Sequence, residues 1–349
     1  MSADAPGDPS GPSAPIPTLD GLPPSLDGSL PSLELDPDED PVSLEAPEDG
    51  PSLHGQESRY EVLKILGRGG MGVVYQARDR ELERIVAIKT LVPGASNPRK
   101  ILDFLNKEAR TLASIDHPAL PMIYDVLRED AQLTIVMEYV RGEPLDAILA
   151  RHPEGIPVQS GASIWLQLLA ALAYLHRRGL IHRDIKPGNL MLDKEGRLRL
   201  VDFGLARQVE QILRDGTRIR GTPIYMAPEQ IQNLRLSAAT DLYSAAVTMY
   251  ELLTGRLPFP HTKTPGYHHL HTPPQPLRLH SPETPAALCA QIDACLQKRP
   301  VDRPLRAEDM IQELVEALQL LPAELPAPVR AELEPARTGS GAALVALES

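Results

Sequence analysis

His182-Arg183-Asp184-Ile185-Lys186-Pro187-Gly188-Asn189, followed thirteen positions on by Asp202-Phe203-Gly204, decides how this chain is read. The stretch gathers a carboxylate, a cation and two oxygen-bearing side chains of the kind that hold magnesium. That is the inventory needed to move a phosphoryl group from a nucleotide to a hydroxyl. A His-Arg-Asp tripeptide alone also fits a charged turn, so the weight rests on the continuation to Asn189 and Asp202.

Working outward, Gly67-Arg68-Gly69-Gly70-Met71-Gly72-Val73-Val74 has the spacing G-x-G-x-x-G-x-V. Glycines at Gly67, Gly69 and Gly72 let the backbone approach a phosphate and turn N–H groups toward it. Dinucleotide-binding folds share the spacing, but there it opens a helix, whereas here alternating apolar residues flank it on both sides. Tyr60–Leu66, Val73–Ala77 and Ile85–Leu91 read as strands, Pro98–Ser114 as a helix, and Met122–Leu127 and Leu133–Glu138 as two more strands. From Leu145 onward the pattern is mostly helical, over Ser160–Arg177, Ala238–Leu253, Pro285–Leu296 and Ala307–Leu318. Strands with one helix followed by a run of helices predict an α+β arrangement in two lobes, divided near Val140–Gly142.

Together with Val86-Ala87-Ile88-Lys89 and Gly221-Thr222-Pro223-Ile224-Tyr225-Met226-Ala227-Pro228-Glu229, these motifs resemble the eukaryotic-type (Hanks-type) serine/threonine protein kinases. The resemblance runs from residue 60 to about 318. It implies a small lobe over 59–140, an antiparallel sheet with one helix, and a mainly helical large lobe over 141–320. It implies Mg-ATP as the phosphoryl donor, with Mn2+ as a substitute ion, and protein Ser/Thr hydroxyls as acceptors. By the same resemblance Asp184 accepts the hydroxyl proton and Lys186 neutralises the transferring group, while Asn189 and Asp202 hold the metal. Lys89 holds the α- and β-phosphates and pairs with Glu108. Leu66, Val74, Ala87 and Met191 sandwich the adenine, Met137 guards the back of its pocket, and the backbones of Glu138 and Val140 bond its edge. Glu229 pairs with Arg303, Asp241 holds the catalytic-loop backbone, and His182 supports Phe203 without acting as acid or base. Lys186 and Thr222 are similar to the Ser/Thr branch. Thr217 is left as the candidate phosphorylation switch, its phosphate answered by Arg183 and Arg207.

The remaining features set boundaries. The net charge of -12 belongs to residues 1–58, which carry thirteen acidic side chains, twelve prolines and neither Lys nor Arg. This segment cannot bury enough apolar surface to offset its entropy, and we expect it to be disordered. Its Pro-Ser-Leu at 24–26, 31–33 and 51–53 is a docking motif or merely compositional. Segment 321–349 is expected to be a second low-complexity tail. The body is near neutral and carries no basic stripe, which argues against nucleic acid. Cys289 and Cys295 are the chain's two cysteines and exclude a disulfide framework. No apolar run reaches membrane-spanning length and no signal-peptide pattern opens the chain, so a cytoplasmic location is expected. Half of the ten histidines fall between His261 and His280, without the spacing of a zinc site. Arg-over-Lys and Ala/Pro-rich usage looks bacterial. A nucleotide-binding pseudokinase acting as a scaffold is the alternative function, but the full set of Lys89, Glu108, Asp184, Asn189 and Asp202 weighs against it. A small-molecule phosphotransferase fits less well, because the segment ending at Glu229 is present.

Overall fold

Five antiparallel strands in the order β1-β2-β3-β5-β4 form the first part of the fold. They are β1 Tyr60–Gly69, β2 Gly72–Asp79, β3 Arg84–Leu91, β4 Ile123–Arg128 and β5 Leu133–Glu138, with helix α1 Pro98–Ala113 inserted before β4. The structure is a computed structural model that describes residues 59–69, 72–91, 98–128, 132–202, 223–260 and 264–333. The expectations for segment 1–58, for Phe203, Gly204, Arg207, Thr217 and Thr222, and for residues 334–349 lie outside the described residues.

Strand alternation sorts the side chains. Val86 and Ile88 of β3 join Tyr60, Ile65, Tyr75, Ala77 and Val136 on one face. Leu91 falls on the other, with Leu133 and Ile135 of β5 and Leu105, Ala109 and Leu112 of α1. The period of two therefore places Ala87 and Lys89 on the face shared with α1. The β2–β3 turn is held by buried Asp79, whose Oδ1 accepts from the N–H groups of Glu81 and Leu82 at 3.2 and 3.3 Å. The hydrogen bonds from Arg59 hold the Asp79 carboxyl below its ordinary range.

Gly72 shows why one glycine is obligatory. A Cβ there would stand 1.7 Å from the Thr90 carbonyl oxygen, an atom fixed in β3. At Gly67 a Cβ would meet nothing within 4 Å. Gly72→Ala is therefore expected to destabilise the small lobe by about 1–3 kcal/mol, while Gly67→Ala stays within about 0.5 kcal/mol of the parent. Urea midpoints of the two variants check the contrast; equal midpoints would remove the steric argument.

The second part is built on α3 Val158–Arg177 and α5 Ala238–Thr254, both buried along most of their length. Helix α3 is long and apolar enough to cross a membrane, but it forms the centre of the large lobe. Trp165 donates to Gln291 Oε1 at 3.0 Å, and Gln291 donates to the Met310 carbonyl at 2.7 Å. These bonds tie α3 to α7 Ala286–Cys295 and α8 Ala307–Ala317. Helix α5 ends at Gly255, whose φ of 64° gives the left-handed cap while the Pro153 carbonyl lies too close for any Cβ. Short helices α2 Leu145–Arg151, α4 Pro228–Ile231 and α6 Pro265–His271 complete the lobe with strands β6 Glu143–Pro144, β7 Leu190–Leu192 and β8 Leu198–Leu200.

The ordered chain does not stop at residue 320. A 3-10 turn at Pro322–Glu324 and helix α9 Ala327–Leu333 pack on the large lobe, burying Leu325 and Val329. The expected tail from 321 is thus corrected over its first part. Seven helical residues with this composition are not stable alone, and their order comes from docking.

His117 and His269 are buried, and burial pushes both down to about 4. In the unfolded chain a histidine takes up its proton near 6.5, so below that pH the unfolded state binds more protons and stability falls. Between pH 6.5 and 5 each should remove roughly 2 kcal/mol. Urea unfolding at pH 7.5, 6 and 5 measures this, and His269→Gln should flatten the profile. A profile flat to pH 5 would contradict it. Burial also pushes the thiols of Cys289 and Cys295 up, to about 11 and 12, as inert core groups.

Candidate active site

Between α3 and β7 the chain forms a 3-10 turn at Pro187–Asn189, and the stretch before it is held from below. Asp241, on the first turn of buried α5, accepts from the N–H groups of His182 and Arg183, each at 2.8 Å, and meets His176 Nε2 at 2.9 Å. Burial pushes the Asp241 carboxyl up, but the hydrogen bond and charge of His176 and the Arg183 N–H outweigh it, so the carboxyl lies below its usual range. These contacts fix Arg183 at φ 71°, a left-handed conformation unusual for a side chain of this size. The buried His182 accepts from the Asp184 N–H through Nδ1 at 3.4 Å, and burial lowers its pKa, so its ring stays neutral. A role for His182 as acid or base does not fit that environment.

Asp184 emerges from this support with its carboxylate oriented by two donors on one oxygen. Lys186 Nζ reaches Oδ2 at 3.1 Å and Asn189 Nδ2 reaches it at 3.0 Å. Asn189 also donates to the Asp184 carbonyl at 2.7 Å. With its amide nitrogen so committed, Asn189 has its oxygen to offer a hard cation. Asp202, at φ 60° and two residues past the end of β8, contributes a carboxylate that is 40% exposed. An amide oxygen and a carboxylate make a fitting donor set for magnesium. Among the described residues no group of three or more His, Cys, Asp or Glu forms a metal cluster, including the histidines from His268 onward.

Lys89 crosses from the small lobe and pairs with Asp202 Oδ1. The ion pair that Lys89 makes here is with Asp202, where the sequence led us to expect Glu108.

Strand register assembles an apolar roof. Val74 lies opposite Lys89, Ala87 opposite Met137, and Lys89 opposite Ile135. Directly paired residues share a face, so Val74, Ala87, Lys89 and Met137 line the same side. Leu66 falls in a register shift between Ile65 and Gly67 and stays partly exposed at 36%. Val140 is buried beyond β5, and Met191 in β7 is half-buried. The Glu138 N–H is committed to the Met122 carbonyl at 2.8 Å.

Sequence reasoning missed Arg199. From β8 it reaches Glu138 Oε2 at 2.5 Å and the Leu120 carbonyl at 3.3 Å, and the same Glu138 oxygen accepts from the Met122 N–H at 3.2 Å. The Glu138 side chain thus links the two lobes behind their connection. No local pattern signals it, because the partners are 61 positions apart. Glu229 and Arg303 form the expected buried pair, at 2.8 and 2.9 Å. Tyr225 is half-buried and donates to Glu251 Oε2 at 2.6 Å.

The family model described as "Protein kinase domain" matches residues 60–315. The serine/threonine-protein kinase PrkC of Bacillus subtilis is 34% identical over 256 residues, covering 72% of this chain and 39% of the relative. The serine/threonine-protein kinase PknA of Mycobacterium tuberculosis is 34% identical over 267 residues, covering 74% of this chain and 60% of the relative. Each match thus spans less than two thirds of the relative. The solved kinase domain of Mycobacterium tuberculosis PknI superposes with a TM-score of 0.60 at 27% identity, covering 74% of this chain and 96% of that one.

Proposed function

The chain belongs to the protein kinase domain family, and from that premise we propose that it transfers the γ-phosphoryl group of ATP to serine and threonine hydroxyls of proteins. The observation that carries the reading is the convergence on Asp184. Lys186 and Asn189 fix one carboxylate oxygen, while Lys89 and Asp202 meet across the lobes beside it. The acceptor oxygen forms a bond to the γ-phosphorus, the bond from that phosphorus to the β-phosphate bridge breaks, and ADP leaves with the electron pair. Asp184 positions the hydroxyl and takes its proton late, as suits a loose transition state. Lys186 offsets negative charge on the group in flight. Lys89, once Asp202 turns to metal, is free to hold the α- and β-phosphates. Asn189 and Asp202 would hold magnesium, which when bound screens charge on the β- and γ-phosphates. The glycines from Gly67 to Gly72 cover the phosphates, and Leu66, Val74, Ala87, Met137 and Met191 enclose the base, with the backbones of Glu138 and Val140 at its edge.

The names of the relatives support Ser/Thr over Tyr acceptors, and so does Lys186. Use of ATP and reduced, buried thiols fit a cytoplasmic setting. The test is incubation of the purified chain with Mg-ATP and a generic protein acceptor, followed by mapping of phosphosites. Phosphoserine or phosphothreonine formed only with metal present is expected. Their absence, or phosphate on tyrosine alone, would overturn the assignment.

A further inference from the structure

The family match ends at residue 315, yet the fold continues through the 3-10 turn at Pro322–Glu324 and α9 to Leu333. This added piece is anchored by charge as well as by apolar packing. Arg177, at the end of α3, donates from Nη2 to Glu332 Oε1 at 2.9 Å, from Nη1 to Glu332 Oε2, and from Nη1 to Glu308 Oε1 at 3.1 Å. The Glu332 side chain is 5% exposed, so its carboxylate depends on Arg177 for its charge balance. Leu325 and Val329 are buried in the main core beside it.

The anchor point is well chosen for influence on the site. His176, next to Arg177, holds Asp241, which holds the backbone of His182 and Arg183. One turn earlier, the Tyr174 hydroxyl accepts from the Asp116 N–H at 3.0 Å, and its ring lies 4.8 Å from His117. Both belong to the connection between α1 and β4. The field of Glu332 reaches His117 as well.

We propose that residues 322–333 form a C-terminal strap that clamps the end of α3 and thereby fixes two segments at once: the α1–β4 connection that carries α1, and the catalytic loop. The strap is a positioning element, and release of Glu332 from Arg177 loosens both.

The experiment uses the full chain with Arg177→Glu, Glu332→Arg and the double reversal, and a chain ending after Leu321. Hydrogen exchange is followed over 114–122 and 180–186, with kcat and KM for ATP measured in parallel. Each single reversal is expected to raise exchange in both segments by about tenfold and to lower kcat several-fold, with KM changed less than twofold. The double reversal restores most of both. Unchanged exchange in 114–122 and 180–186 on truncation overturns the strap, even where Tm falls, because that outcome describes a stabilising patch alone. The exchange measurement does not depend on the kinase reading. A parent chain without phosphotransfer would count against that reading and leave the exchange result to decide on the strap.

Discussion

Asp184→Asn is expected to lower kcat for phosphoryl transfer by roughly 10²–10⁴-fold, with the fold and the affinity for ATP retained. The retention follows from the geometry. Lys186 and Asn189 converge on a single carboxylate oxygen, and Asn189 also bonds the backbone carbonyl of residue 184. An asparagine keeps an oxygen for both donors and keeps that carbonyl, so the loop is still tied together. What is lost is the anionic group proposed to take the proton of the attacking hydroxyl. Steady-state kinetics with a peptide acceptor and thermal unfolding of the same preparation measure the two halves of the prediction. Activity above about a tenth of the parent would assign the proton to another group. A matching rise in KM for ATP would show that Asp184 contributes to nucleotide binding rather than to transfer.

Glu229→Ala is expected to be the most destabilising single change in the large lobe, by about 3–5 kcal/mol. The Arg303 side chain has no exposed surface, and its guanidinium donates to both Glu229 oxygens and to the carbonyls of Ala239, Gln297 and Lys298. Removing the carboxylate leaves a cation buried with dipoles alone to answer it. Against a typical total stability of about 5–15 kcal/mol, such a loss is a large fraction, and Tm should fall by on the order of 10 °C. Glu229→Gln keeps an acceptor and should cost less. Activity should fall with stability, because Gln230, the next residue, donates to the Arg183 carbonyl at 2.9 Å and couples α4 to the catalytic loop. A loss below about 1 kcal/mol in urea unfolding would mean the pair behaves as an exposed one.

Most of the architecture was legible because its signals are local. Alternation placed the five strands of the small lobe, and Leu133–Glu138 is the observed span of β5. The apolar run from Ser160 announced α3, which begins two residues earlier at Val158. The small strands β6, β7 and β8 went unread, since elements of two or three residues have no period to detect. Helix α9 went unread for a related reason: its Pro/Ala/Glu composition is that of a tail, and burial of Val329 and the Arg177–Glu332 contact give it order.

Within the candidate site, the sequence by itself determined which chemical groups are present and which of them share a short segment. Asp184, Lys186 and Asn189 lie within six positions, so their meeting is a property of local backbone geometry. Tertiary structure alone decided the long-range partners. Lys89 and Asp202 are 113 positions apart, and Glu138 and Arg199 are 61 apart. A motif can name a lysine and a glutamate that suit each other, as with Lys89 and Glu108. Which carboxylate the ammonium meets depends on how α1 and the end of β8 are placed around it. Charge pairing is non-specific in sequence and steep in distance, so the fold chooses among partners that composition leaves equal.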